Sequence, residues 1–118
     1  METREAILRF QYGEKFKSGL IIAIGLLSQL TSLKEAELSG GKKVLVWYLE
    51  GLLREVRVAE NVIGADHFND LERKVMEVVG RIQMSQLEQA HHSLSEGISL
   101  ATTSCQDAMV FLMERKLV

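Results

Sequence analysis

A chain of 118 residues, 47% hydrophobic and 25% charged, has the size and make-up of one globular domain with its own core, residues 1–118. Its formal net charge of -2 excludes the global basic field that holds nucleic acid. A single cysteine, Cys105, excludes an internal disulfide and suits a reducing, cytoplasmic setting.

The chain contains no proline, so the usual interior helix breaker is missing. Strong helix formers fill most positions, and no hairpin turn or sustained period-two run is present. The expected class is all-α, an up-down antiparallel four-helix bundle. The first ten residues show no basic segment leading into an apolar run, so no signal peptide is expected. The most apolar run, Gly19 to Leu30, falls short of the roughly 20 residues a membrane span needs and reads as a buried helix.

The first helix is expected from Thr3 to Leu38, extended or kinked near Gly13 and stopped by the Ser39-Gly40-Gly41 run. Phe16, Leu20, Ala23, Leu27 and Leu30 recur at spacings of three and four and make its buried face. The second helix is expected from Lys43 to Ile63, burying Leu45, Leu49, Leu52, Val56 and Ala59, with Gly64 as its stop. The third begins near Asp66 or Asn69, each with capping potential, and carries Phe68, Leu71, Val75, Val78 and Ile82. It is expected to continue through Leu87 and Ala90. Ser93 and Glu96 form a capping box that would start the fourth helix after a break near His91 to Ser93. Leu94, Ile98, Ala101, Cys105, Ala108 and Leu112 are the stripe of that helix.

Apolar residues are left over once these stripes are assigned. Val44 to Leu49 is apolar all round the helix, Ala108 to Met113 nearly so, and Ile21, Ile22 and Leu26 lie off the main stripe of the first helix. Such a surplus predicts a second buried surface, most simply between two copies of the chain. Val44, Trp47, Tyr48 and Phe111 are its candidate contact residues. Gly19, Gly25, Gly51 and Gly80 inside helices cost about 1 kcal/mol each against alanine, which close helix approach would justify.

Chemistry is expected, if anywhere, at Glu88, His91, His92 and Glu96. Glu88 and His91 form an E-x-x-H, and His92 and Glu96 are an i,i+4 pair; both spacings let two ligands converge on one ion. The E-x-x-H resembles half of the carboxylate-bridged di-iron motif of ferritin-like bundles, which needs a second copy and a glutamate on each of two other helices. Ala90 to Gly97 also resembles a histidine-phosphotransfer motif, a family of four-helix bundles. That motif places Lys and Gly at the third and fourth positions after the histidine; from His92 these are Ser95 and Glu96, and Glu96 would repel phosphate. Cys105 lies on an apolar stripe and reads as an inert core thiol. His67 is expected at the opposite end of the bundle from His91 and His92.

These signals lead to an expected non-enzymatic oligomerisation or protein-interaction module without a cofactor, a homodimer or higher homo-oligomer with an unknown protein as the other kind of partner. The alternative is a metal-binding or histidine-phosphotransfer-like bundle. Neither nucleic acid nor a membrane span is expected.

Overall fold

The computed structural model describes residues 1–117. Four α-helices follow one another: α1 (Thr3–Leu30), α2 (Glu35–Ile63), α3 (Asn69–Gln83) and α4 (Leu87–Glu114), with a short 3-10 turn, Ala65–His67, ahead of α3. Each packs antiparallel to the next, and α4 closes the ring against α1. This is the all-helical four-helix bundle that the periodicity implies.

The buried stripes are those of the three-four spacing. Phe16, Leu20, Ala23, Leu27 and Leu30 of α1 meet Leu45, Leu49, Leu52, Val56 and Ala59 of α2 in one core. Phe68 joins Leu71, Val75, Val78 and Ile82 on the third side. Its ring stands edge-on to Phe16, centroids 5.2 Å apart, and so locks the start of α3 onto the middle of α1.

The boundaries differ from expectation in three places. First, α1 ends at Leu30, and Ser39-Gly40-Gly41 lies inside α2, which begins eight residues before Lys43. The stop is made by hydroxyls: Thr31 Oγ1 donates to the Ser28 carbonyl at 2.7 Å, and Ser32 Oγ to the Gln29 carbonyl at 2.9 Å. These satisfy carbonyls that have no further helical partner. Glu35 then turns the chain with a φ of 52°.

Second, the break between α3 and α4 falls at Met84 to Gln86, not at His91 to Ser93. Gln86 N donates to the Arg81 carbonyl at 2.8 Å and Ser85 N to the Ile82 carbonyl at 2.9 Å, the paired bonds of a Schellman ending. Ser85 takes the left-handed position, φ 60°, that glycine usually fills. Ser93 is consequently no cap. It is buried in the second turn of α4, where its hydroxyl faces the Glu77 carboxylate and holds that carboxyl's pKa down. Third, α1 runs through Gly13 without interruption. Gly64 is the expected stop of α2, with a φ of 103° that only glycine takes readily.

The helices are unequal. α3 has 15 residues against 28 or 29 in the others, so it is about 20 Å shorter at 1.5 Å per residue. It covers only the first half of α4. The last turns of α4 instead pack on the first turns of α1, and the bundle measures 54 × 22 × 16 Å. Small residues, Ala6 and Gly13 facing Ala101, Cys105 and Ala108, let the two backbones approach there. Among the described residues, no helix is long and apolar enough to cross a membrane.

Candidate functional site

The main surface feature grows out of the second stripe of α2. With Leu45, Leu49 and Val56 turned into the core, helical geometry sends Val44, Trp47, Gly51 and Val58 outward. Trp47 is 73% exposed, Val44 64% and Val58 56%. On α1 the same arithmetic leaves Ile22 54% exposed, with Ile21 and Leu26 also in solvent. Between the two helices runs an open groove of about 1050 Å³, lined by Tyr12, Ile22, Val44, Trp47, Tyr48 and Val58 among others.

The groove floor is fixed by a close helix crossing. Tyr48 donates its hydroxyl to the Gly19 carbonyl at 2.9 Å, and burial pushes its phenol pKa up, so the hydroxyl keeps its proton for this bond. A methyl at Gly19 would come within 2.9 Å of Leu52 Cδ1. Gly19 therefore serves close approach within the bundle. Gly25 and Gly80 have open space beside them, and Gly51 has only the tip of Arg54 at 3.8 Å. The Lys15–Glu55 ion pair bridges the groove near its middle.

Of the expected contact residues, Val44, Trp47 and Tyr48 come together here. Phe111 does not. It sits half-buried near the end of α4, with the Arg115 guanidinium 3.5 Å above its ring. Val58, Val62 and Ile7 were missed by the sequence reading although they stand exposed, Val62 and Ile7 by 41% and 42%. The three-four stripe opposite the buried one was the signal for them.

Glu88, His91, His92 and Glu96 lie in the first three turns of α4, on both sides of its exposed face. His91 faces α1 in a cleft with Leu27, Ser28 and Thr31; Glu88 and His92 border that cleft and also a second one, toward α3, with Glu77, Arg81 and Glu96. His92 Nε2 is 3.8 Å from Glu96 Oε1, and its side chain is 79% exposed. A cation absent from the local sequence arrives from α3. Lys74 Nζ donates to Glu77 at 3.0 Å and to Glu96 at 3.4 Å. Its bond to Glu77 in particular holds the Lys74 pKa up, while the Ser93 hydroxyl and Lys74 hold the Glu77 carboxyl down. This ion-pair network ties α3 to α4 and engages Glu96. Among the described residues, no three His, Cys, Asp or Glu side chains converge where they could hold a metal ion.

His67 lies at the other end of the bundle, with its Nε2 2.6 Å from Glu5 Oε1, and so joins the α2–α3 connection to the first turn of α1. Cys105 is buried, and burial together with the nearby Glu14 carboxylate pushes its thiol up to about 11. A nucleophilic thiol needs the opposite shift.

Compared with family models, with curated proteins and with solved structures, the chain matches none.

Proposed function

We propose that the chain is a helical oligomerisation or protein-interaction module that works by burying the apolar α1/α2 face. The observation that carries this is Trp47, a large side chain left 73% exposed on a face that also exposes Val44, Val58, Ile21 and Ile22. Contiguous apolar surface of this kind marks contact sites in soluble proteins, and buried tryptophan is the commonest anchor of such contacts. The groove beside it adds apolar side chains of both helices to the same face. Function on this reading is association itself, with no bond made or broken.

Burying one large apolar side chain is worth roughly 1.5–3 kcal/mol, so each copy of Trp47 contributes tenfold or more in affinity. Sedimentation of the native chain at low micromolar concentration should show more than a monomer, and Trp47→Asp should return it to one with its helical circular dichroism intact. A native chain that stays monomeric there, or an assembly indifferent to Trp47→Asp, would refute the proposal.

A further inference from the structure

The exposed stripes of α1 and α2 have a symmetry of their own. On α1 the outward positions run Ile7, Gln11, Lys15, Ser18, Ile22 and Leu26; on α2 they run Val44, Trp47, Gly51, Arg54, Val58 and Val62. Each keeps the three-four spacing of one helix face. Each is apolar at both ends and polar or small in the middle. The midpoint from Ile7 to Leu26 falls at Phe16–Lys17, and that from Val44 to Val62 at Leu53. These two points stand at the same level of the bundle, as the neighbouring Lys15–Glu55 ion pair and Tyr48–Gly19 hydrogen bond show. A face whose two stripes reverse about one common level matches itself after a half-turn about an axis through that level.

We infer that the α1/α2 face takes a second copy of the chain, laid antiparallel so that α1 packs on α1 and α2 on α2 of that copy. This rests on the proposed interaction role of the face and names its partner and arrangement. The half-turn sets Val44 against Val62 of the second copy, Trp47 against Val58, and Ile7 against Leu26, so these apolar ends cover one another, while Ile22 meets Gln11. Gly51 and Arg54 of the two copies meet near the axis, where Gly51 carries no side chain and the Arg54 guanidinium of its own chain already lies within 3.8 Å of where a β-carbon would stand.

The charges on the rim of α2 favour this orientation over the parallel one, against the two Arg54 guanidiniums that it brings together near the axis. Lys43, Glu50 and Arg57 follow at intervals of seven along the rim of α2 that faces α3, and Glu55 lies on the opposite rim, toward α1. Parallel α2 helices in register would bring Glu50 beside Glu55 of the second copy, two like charges. The antiparallel half-turn brings Glu50 beside Arg57 of the second copy, and does so twice. Glu50 has no ion pair within its own chain among the described residues, and Arg57 holds Glu72 at 3.5 Å with half of its side chain exposed. The exposed apolar side chains of both stripes are spread over some 19 residues of each helix, about 28 Å at 1.5 Å per residue.

Single cysteines test the arrangement, because the buried native Cys105 takes no part in exchange. Arg54→Cys lies beside the axis, so two copies bring their thiols together, and mild oxidation should yield a disulfide-linked dimer. Gly40→Cys places its thiols on the order of 40 Å apart at 1.5 Å per residue and should stay unlinked. In sedimentation, Glu50→Arg should weaken the dimer roughly fivefold, as expected for two rim pairs lost at once, and adding Arg57→Glu should restore it. Linking of Gly40→Cys as readily as Arg54→Cys would overturn the antiparallel pairing, and so would a double charge reversal no tighter than Glu50→Arg. If association still depended on Trp47 in that event, the proposed role of the face would stand and only the pairing would fall. Association independent of Trp47 would remove both, as would a native chain that stays monomeric.

Discussion

Gly13→Ala probes a tight helix contact, where α1 passes α4. A β-carbon built on Gly13 lies 2.6 Å from Cys105 Sγ and 3.6 Å from the Ala101 carbonyl oxygen. In an open helix the change would stabilise by about 1 kcal/mol, because alanine is the better helix former. Here the sulfur must turn away from its position over the Phe10 carbonyl, or the helices must part. Overpacking of this kind costs about 1–3 kcal/mol, so the expected net result is a loss of about 1 kcal/mol. Removing the sulfur first reverses the sign. In a Cys105→Ala background the same Gly13→Ala change meets only ordinary contacts, 3.6 Å or more away, and should recover its gain of about 1 kcal/mol, giving a coupling of about 2 kcal/mol between the two sites. Urea unfolding followed by circular dichroism, at one fixed protein concentration, measures all four corners of the cycle. If Gly13→Ala had the same effect in both backgrounds to within about 0.5 kcal/mol, the claim that a single sulfur sets the α1–α4 spacing would be wrong.

Glu60 offers a pH test. Burial, then the hydrogen bond and charge of Glu72 across the α2–α3 contact, raise its carboxyl to about 7, against the pull of Arg57. The fold thus keeps a proton that the unfolded chain gives up at ordinary carboxylate pH, so the contribution is full below that range and is lost as pH rises through about 7. Stability should fall by about 1 kcal/mol from pH 5 to pH 8, after discounting for solvent at the bundle edge, and Glu60→Gln should flatten the profile and stabilise at pH 8. Phe68→Ala empties the ring site against Phe16 and should cost about 3–5 kcal/mol, read as a lowered urea midpoint. Tyr48→Phe removes only the bond to the Gly19 carbonyl and should cost about 1 kcal/mol. Cys105 should react with a thiol reagent only after denaturant is added, and appreciable labelling of the native chain at pH 8 would contradict its burial.

The buried side of the bundle was legible residue by residue. Phe16, Leu20, Leu49, Val56, Val75 and Leu94 fill the core as their spacing implies, because a helix period converts directly into a face. The helix ends were legible at Thr3, Gly64 and Asn69, but not at the α1–α2 and α3–α4 junctions. Glycine marks a left-handed turn residue only when the turn uses glycine, and here Glu35 and Ser85 take those positions. Both are held by hydrogen bonds of their neighbours or by the helices they connect, none of which shows in a composition. Ser93 and Glu96 matched a capping box by spacing alone; the helix start six residues earlier turned Ser93 inward to Glu77. His91 and His92 share the cleft toward α1, and His92 alone also borders the one toward α3.

Helical class, number of helices and composition of the core followed from the sequence alone, because they depend on local periodicity and on the sign of each residue's preference for water. Where α1 yields to α2, how far α3 reaches, and which surplus apolar residues share a surface depended on the tertiary structure. Those outcomes are set by contacts between residues distant in the chain: Phe68 on Phe16 at the start of α3, and Tyr48 on Gly19 beneath Trp47. The surplus at Val44 to Tyr48 was visible in the sequence, but only the crossing of α1 and α2 placed Ile22 beside it and kept Phe111 away.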